Sequence, residues 1–519
     1  MNPTDLKWNV MPIMVTVLGL LIALFLGVFI GGSELTNLSI FFGLIALIAL
    51  VSTMRQYIWF LVPMLWGFTG SVSVLPLPFS VRDLVVMFVG TVALALFGLR
   101  VLKFRNRWDF LDLILLLNLG QVCLAFVLHP VGLKAFSSQI VGGRPYFNVA
   151  IAALAYFVLS NQVVSAHFAR RLTVCMVVAE LGSSALFLLS RASGSIGFIL
   201  GKVYDGFTPP VSLYTFAPSV ERLTGVVRGG TLLITALCSY FRPLTLVNPF
   251  NFGRWFLFGL GLALVLLSGF RSQLLTITVI FLLASYFRGG WSDVMVALAC
   301  LFVGIVTLIL FNSFIHPLPL SMQRTLSVLP GDWDSRAVKD AAGSTEWRLD
   351  MWKDIPKGTK YIRNRLMGDG FGFSQAELQA LERQKYARGD VYEQEDYMII
   401  GAFHNGPLSA IRFVGIVGLV LYYTLLIYSA VYAWRLIRTT HNTDFFPFAL
   451  FLGLAIIWEP FNYTLIFGAF DSGFPNALFN AGMLKLVHNS VAAAIPPKEL
   501  SAKPEPLLAT TRRITVGAT

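Results

Sequence analysis

Apolar runs of roughly 18 to 22 residues recur along nearly the whole chain, a length that matches the hydrocarbon core of a bilayer. Met11 to Ile30, Asp83 to Leu99, Phe110 to Leu128 and Ser292 to Phe311 are examples. A soluble protein can bury one or two such helices, but not a dozen. Of 519 residues, 56% are hydrophobic and 13% charged, about half the charged share of a soluble domain. The chain reads as an all-α polytopic membrane protein with roughly 12–14 transmembrane helices. The first run follows Lys7 and is followed by Gly31, Gly32 and Ser33 rather than a small-x-small cleavage site, so it reads as an uncleaved helix.

The net charge of +12 does not point to nucleic acid, because the basic residues sit mainly in short connections between spans. Arg100, Lys103, Arg105 and Arg107 form the clearest orientation marker. Arg170 with Arg171, Arg288, and Arg435 with Arg438 should share its cytoplasmic side. The tail from Pro496 reads as disordered and, with an even span count, cytoplasmic. Cys123, Cys175, Cys238 and Cys300 all lie in apolar segments and read as small core hydrophobes.

Three longer connections then fall on the extracytosolic side: about His129 to Tyr146, Arg191 to Arg228, and about Asn312 to His404. The third holds 12 Lys or Arg and 13 Asp or Glu. A stretch that long and that charged is expected to be a small, mostly helical domain rather than a simple connection. Within it, Gln375 to Tyr386 has an amphipathic pattern through Leu378 and Leu381. The expected organisation is transmembrane helices over 1–311, a loop domain over 312–404, further transmembrane helices over 405–490, and a tail over 491–519. Glu459, Pro460, Asp471 and Pro475 leave open a re-entrant or broken helix near the end.

This topology brings Arg222, Arg228, Arg271 and His404 to one face. Arg271 stands between the apolar runs Trp255–Leu267 and Leu274–Tyr286, where a cation either snorkels to a lipid phosphate or serves an anionic substrate. Arg222 and Arg228 precede a span whose first amides could help hold phosphate; the alternative is an interfacial anchor, with Arg222 paired to Glu221. His404 opens the return from the loop to the membrane, where an imidazole titrating near neutrality suits proton abstraction from a hydroxyl. His129 and His316 read as structural. Gly415 and Gly418 would let a second helix pack closely. Glu180, in mid-span, either lines a polar cavity or satisfies a neighbouring helix. No zinc-type cluster or P-loop is visible, and the glycines of 368–373 lack the strand–helix context of a dinucleotide site.

In order along the chain, these residues resemble the O-antigen ligases and the related O-antigen and exopolysaccharide polymerases. His404-Asn405 followed by Gly415-x-x-Gly418 is similar to the family's His-Asn to Gly-x-x-Gly signature after a large periplasmic loop. Arg348, Trp352 and Gly368-x-Gly370-Phe371 resemble its loop pattern. Ser268-Gly269-Phe270-Arg271 resembles its Ser-Gly-Ser-Arg-Gly, and Arg222-x-x-Gly225 its Arg-x-x-Gly. Phe270 and Ser272 depart from the family's Ser and Gly. The match covers about residues 215 to 435.

The resemblance implies a glycosyltransferase in a bacterial inner membrane. The donor would be an oligosaccharide on a polyprenyl pyrophosphate, and the acceptor a glycan or glycolipid. Transfer would need no metal or cofactor and would invert the anomeric carbon. His404 and Arg271 would be catalytic, and Arg222, Arg228, Arg348 and Asn405 would bind substrate. Ligase, polymerase and protein O-glycosylation stay open. A transporter or flippase of lipid-linked glycans is the rival from another class, kept alive by Glu180 and the interrupted C-terminal region.

Overall fold

The computed structural model describes residues 57–72, 79–99, 108–131, 143–207, 220–372, 379 and 398–494. The expected first span, the basic cluster at 100–107, nearly all of the amphipathic stretch at 375–386 and the tail lie outside the described residues.

Eleven longer helices carry the described architecture: α1 (Val81–Gly98), α2 (Phe110–Leu128), α3 (Arg144–Ser160), α4 (Ala166–Ala192), α5 (Val227–Tyr240), α6 (Phe252–Leu267), α7 (Arg271–Leu310), α8 (Ser335–Asp354), α9 (Gly406–Thr439), α10 (Phe446–Phe461) and α11 (Phe470–Ala494). Strand-like pairing among the described residues is limited to two isolated bridges, Ser71 with Ser80 and Val72 with Tyr204. Among those residues, six helices are long and apolar enough to cross a bilayer: α1, α2, α4, α7, α9 and α10. The chain is an all-α, multi-pass membrane protein. Many large apolar side chains, such as Val127, Met295 and Phe302, face outward. In lipid this costs nothing, because the surroundings are as apolar as the side chain.

Two of these helices are broken, each at a glycine. A straight helix of 40 residues, the length of α7, would run about 60 Å. Yet Thr325, shortly after its end, hydrogen-bonds the Leu266 carbonyl at 3.2 Å, just before its beginning. The chain therefore doubles back, and the non-helical residue is Gly290 (φ 71°). α7 is two passes, 271–289 and 291–310. In α9 the break is Gly415 (φ 73°), which separates a short entry helix, 406–414, from the long pass.

The break at Gly415 corrects the expectation of close helix packing for that glycine, while Gly418 does face a neighbouring helix, at Gln121 of α2. A loop strand, not a helix, lies against Gly415. The amides of Asp369 and Gly370 donate to the carbonyls of Arg412 and Phe413, and the amide of Ile416 donates to Arg365. A Cβ on Gly415 would sit 2.1 Å from the Leu366 oxygen, and one on Gly368 2.5 Å from the Val414 nitrogen. Gly368 and Gly370 on one side and Gly415 on the other thus form one backbone contact. Gly418 meets Val414 and Gln121.

Near the C-terminus the Pro460 ring cannot donate within the helix. α10 loosens into a π-helical turn, Asn462–Ile466, before the chain reverses into α11. The interruption is a reversal rather than a re-entrant segment. α11 packs on α3, α9 on α10 and α2, and α5 against α4 and α6.

Capping boxes start α1 at Ser80 and α2 at Asp109. Their acidic partners, Asp83 and Asp112, also pair with buried cations: Asp83 with Arg144 at 2.5 Å, and Asp112 with Lys485 at 2.6 Å. Of the four free cysteines only Cys238 is buried; Cys123 faces outward.

Candidate active site

The loop between α7 and α9 folds back onto the mouth of the bundle, and α8 is its organising element. Asp334 caps the helix, its side chain accepting from the Arg336 amide. A small apolar core of Met351, Ile355, Ile362, Met398 and Phe403 fastens it to the entry helix of α9 through Leu408 and Ile411. Successive turns of α8 then meet each region flagged in the sequence.

Arg271 donates from Nη2 to the Ala341 carbonyl and to Thr345 Oγ1, both at 2.9 Å. One residue earlier in α8, Asp340 lies 3.9 Å from Arg222 and is paired with Arg324, which is buried. A second nitrogen of Arg324 donates to the Gly269 carbonyl. Gly269 holds a left-handed backbone (φ 78°) with the stem of Arg222 beside it. Any side chain there would strain the turn that presents Arg271. Phe270, the departure from the family pattern, lies under the Arg222 guanidinium at 5.9 Å.

Further along α8, Trp347 and Arg348 reach the return point of the loop. The His404 ring sits between Trp347 and Phe467, with ring centroids 5.7 and 5.0 Å away. Arg348 lies over the Phe467 ring, 5.8 Å from its centroid. Trp352 donates to the Phe403 carbonyl at 2.8 Å, which fixes the residue before His404. His404 itself has a positive φ of 50°. A non-glycine residue in that region is uncommon, and such strain gathers at functional positions.

The electrostatics are one-sided. Four arginines (Arg222, Arg271, Arg324 and Arg348) converge, and among the described residues the carboxylate that reaches them is Asp340. The Arg348 pKa is pushed down, first by burial and then by Arg222, Arg271 and Arg324. Its Nε is buried with no hydrogen-bond partner among the described residues. Burial, with Arg348 and Arg222 nearby, lowers the His404 pKa from 6.5 to about 4. An imidazole titrating near neutrality was expected. Desolvation and neighbouring cations both oppose its charged form, so it is neutral at pH 7.

Arg222, Arg271, Arg348 and His404 are therefore brought together. Arg228 is not: six residues past Arg222, it pairs with Glu180 at 3.2 Å, under Gly67. That pair also answers the question of Glu180, which satisfies a neighbouring helix. Glu221 pairs with Arg191 rather than Arg222. The Asn405 side-chain oxygen caps the entry helix, accepting from the Leu408 amide at 3.0 Å. Arg324, Asp340, Trp347 and Phe467 are the neighbours sequence reasoning missed.

A family model described as O-antigen ligase matches residues 256–423. The chain carries an O-antigen ligase domain. The matched span runs from α6 through the loop to the upper part of α9. It includes Arg271, Arg324, Arg348, His404 and both glycine pairs, while Arg222 lies outside it. Curated proteins provide no match to the chain. The match supports a membrane protein of glycan ligation or polymerisation in general.

Proposed function

We propose that this protein transfers an oligosaccharide from a polyprenyl pyrophosphate to a glycan or glycolipid hydroxyl, at the periplasmic face of a bacterial inner membrane. The observation that carries the reading is the Nε of Arg348, which is buried, has no hydrogen-bond partner among the described residues and lies among like charges. A buried donor without an acceptor is costly, and four converging cations repel one another. A pyrophosphate supplies acceptor oxygens and negative charge at once. The loop domain over 312–404 is the unit that assembles the site against the transmembrane helices on either side.

The chemistry follows from the same residues. Neutral His404 takes the proton of the acceptor hydroxyl while that oxygen bonds to the anomeric carbon. The bond from that carbon to the pyrophosphate oxygen breaks, and its electron pair leaves with the pyrophosphate. Attack from the opposite face inverts the centre. Arg222, Arg271 and Arg348 stabilise the charge that grows on the leaving group. Arg228 and Asn405, expected from the sequence to bind substrate, are assigned here to holding the helices.

Purified protein given a polyprenyl-pyrophosphate-linked oligosaccharide and candidate acceptors should release polyprenyl pyrophosphate and form a longer glycan. Arg348→Ala should lower release by about 10²–10³-fold while the fold persists. A ladder of products marks a polymerase, and a single addition marks a ligase. Equal release by wild type and Arg348→Ala would remove the arginine cluster from the mechanism.

A further inference from the structure

A cavity of about 630 Å³ lies between α9 and α10, distinct from the arginine cluster. Its walls are Tyr423, Ile427, Val431 and Trp434 on one helix, and Ile457, Phe461 and Leu465 on the other. On α9 it spans the residues from Tyr423 to Arg435, about 18 Å of helix at 1.5 Å per residue. Ile427, Phe461 and Leu465 are all more than half exposed. A hydrogen bond between Tyr423 and Thr464 at 2.8 Å ties the two walls together near one end, and Trp434 and Arg435 lie at the other.

The end near Leu465 is the informative one. Two residues beyond Leu465 stands Phe467, whose ring packs against His404 and lies beneath the Arg348 guanidinium. Phe461, Leu465 and Phe467 are all exposed. The end of the groove at Leu465, where Tyr423 and Thr464 meet, therefore lies two residues along the chain from the ring that packs on His404 and Arg348.

We propose that this groove holds the isoprenoid chain of the lipid-linked donor, an inference that rests on the transferase reading above. The covalent structure of such a donor selects this occupant. In it a single pyrophosphate separates the lipid from the bond that breaks, so the lipid chain must begin within one pyrophosphate of the arginines. An acceptor's lipid anchor is separated from its reacting hydroxyl by sugars and has no need of a path beside Arg348. The groove also suits a branched, apolar chain, with aliphatic and aromatic walls and the one charged lining residue, Arg435, at the end remote from the site.

The test combines a direct probe with turnover. A polyprenyl pyrophosphate bearing a diazirine on its chain is photolysed with the full-length protein in lipid nanodiscs, and adducts are mapped by mass spectrometry. Adducts concentrated at Ile427, Val431, Phe461 and Leu465 are expected. Adducts spread evenly over outward residues such as Phe302 would overturn the proposal, as would stronger labelling of the groove by an acceptor whose lipid chain carries the diazirine. In turnover, Val431→Trp should raise KM for an undecaprenyl-linked donor about tenfold, the effect of losing roughly two buried methylenes. The same glycan on geranyl pyrophosphate should change less than about twofold. Ile427→Trp repeats the measurement should the first variant fold poorly, and Val296→Trp, on an outward face of α7, is the control. Equal effects on both donors would sink the groove. If wild type releases nothing from either donor, the transferase reading fails, and the adduct map still decides the groove.

Discussion

Among the described residues, Arg222, Arg271, Arg324 and Arg348 converge on Asp340 at the mouth of the bundle, whereas at the opposite end Lys485 faces two carboxylates. The second group is complete as it stands. Lys485 Nζ lies 2.6 Å from Asp112 and 2.8 Å from Asp109, and the Tyr156 hydroxyl donates to Asp112. These groups cap α2 and tie it to α3 and α11. Among the described residues, the first group sets four cations against Asp340, and Arg348 Nε is buried without a hydrogen-bond partner. Buried charge alone does not mark a site in a membrane protein. An imbalance of buried charge does, because something must arrive to correct it.

The comparison would break most visibly at His404. His404→Ala should lower kcat by about 10²–10⁴-fold, the usual worth of a positioned general base, with thermal unfolding little changed. A variant that kept most of its polyprenyl pyrophosphate release would return His404 to the structural reading.

The next test sets the two ends against each other. Lys485→Ala removes the cation beside the buried Asp112 and the partly exposed Asp109 and should cost about 3–5 kcal/mol of stability, read as a fall in unfolding temperature in detergent. Arg348→Ala removes a cation from among cations. It should leave stability equal or slightly raised, while release falls by about 10²–10³-fold. If Arg348→Ala instead destabilised the protein as Lys485→Ala does, the difference between the two ends would be lost.

A smaller effect is expected in the pH dependence. The His404 pKa is lowered to about 4 in the free protein, so protonation there should begin to suppress kcat/KM only as pH falls toward 4. Bound pyrophosphate offsets the charge of Arg348 and Arg222, two causes of that lowering, so the acidic limb of kcat should lie at higher pH than that of kcat/KM. For stability the sign is that of a histidine with a depressed folded pKa. The contribution is neutral above 6.5, and stability is lost as pH falls from 6.5 toward 4, where the unfolded chain binds the proton more readily. An acidic limb of kcat/KM at 6.5 would show His404 to be solvated during the reaction.

Much of this architecture was legible in the sequence, and the omissions have a physical pattern. Apolar length announces a span, and a cation at the boundary between two spans announces itself by its cost, which is why Arg271 and Arg222 stood out. Arg324 carries no such signal. It lies in a seven-residue helix of the charged loop, Leu320–Leu326, and only folding buries it against Gly269 and Asp340. Phe467 is likewise one aromatic among many until the reversal after α10 sets it against His404. Gly415 was legible as a glycine that matters, but not as a break, because a tight helix contact and a backbone crossing both require a missing side chain.

Arg228 and Glu180 give the smallest effect and the sharpest control on the comparison. They lie close to the arginine cluster in sequence, yet form a matched pair at 3.2 Å, with Glu180 nearly buried and Arg228 about half exposed. If balance is what separates structure from site, Arg228→Ala should act on stability alone. The lost pair is partly solvated, so the cost should be about 1 kcal/mol. Release of polyprenyl pyrophosphate should stay within about threefold of wild type. Glu180→Gln in the Arg228→Ala background should recover part of the lost stability, since it removes the carboxylate left without its cation. A loss of release comparable with that of Arg348→Ala would place Arg228 among the substrate-binding arginines after all, and would show that a paired cation can still be recruited when the pyrophosphate arrives.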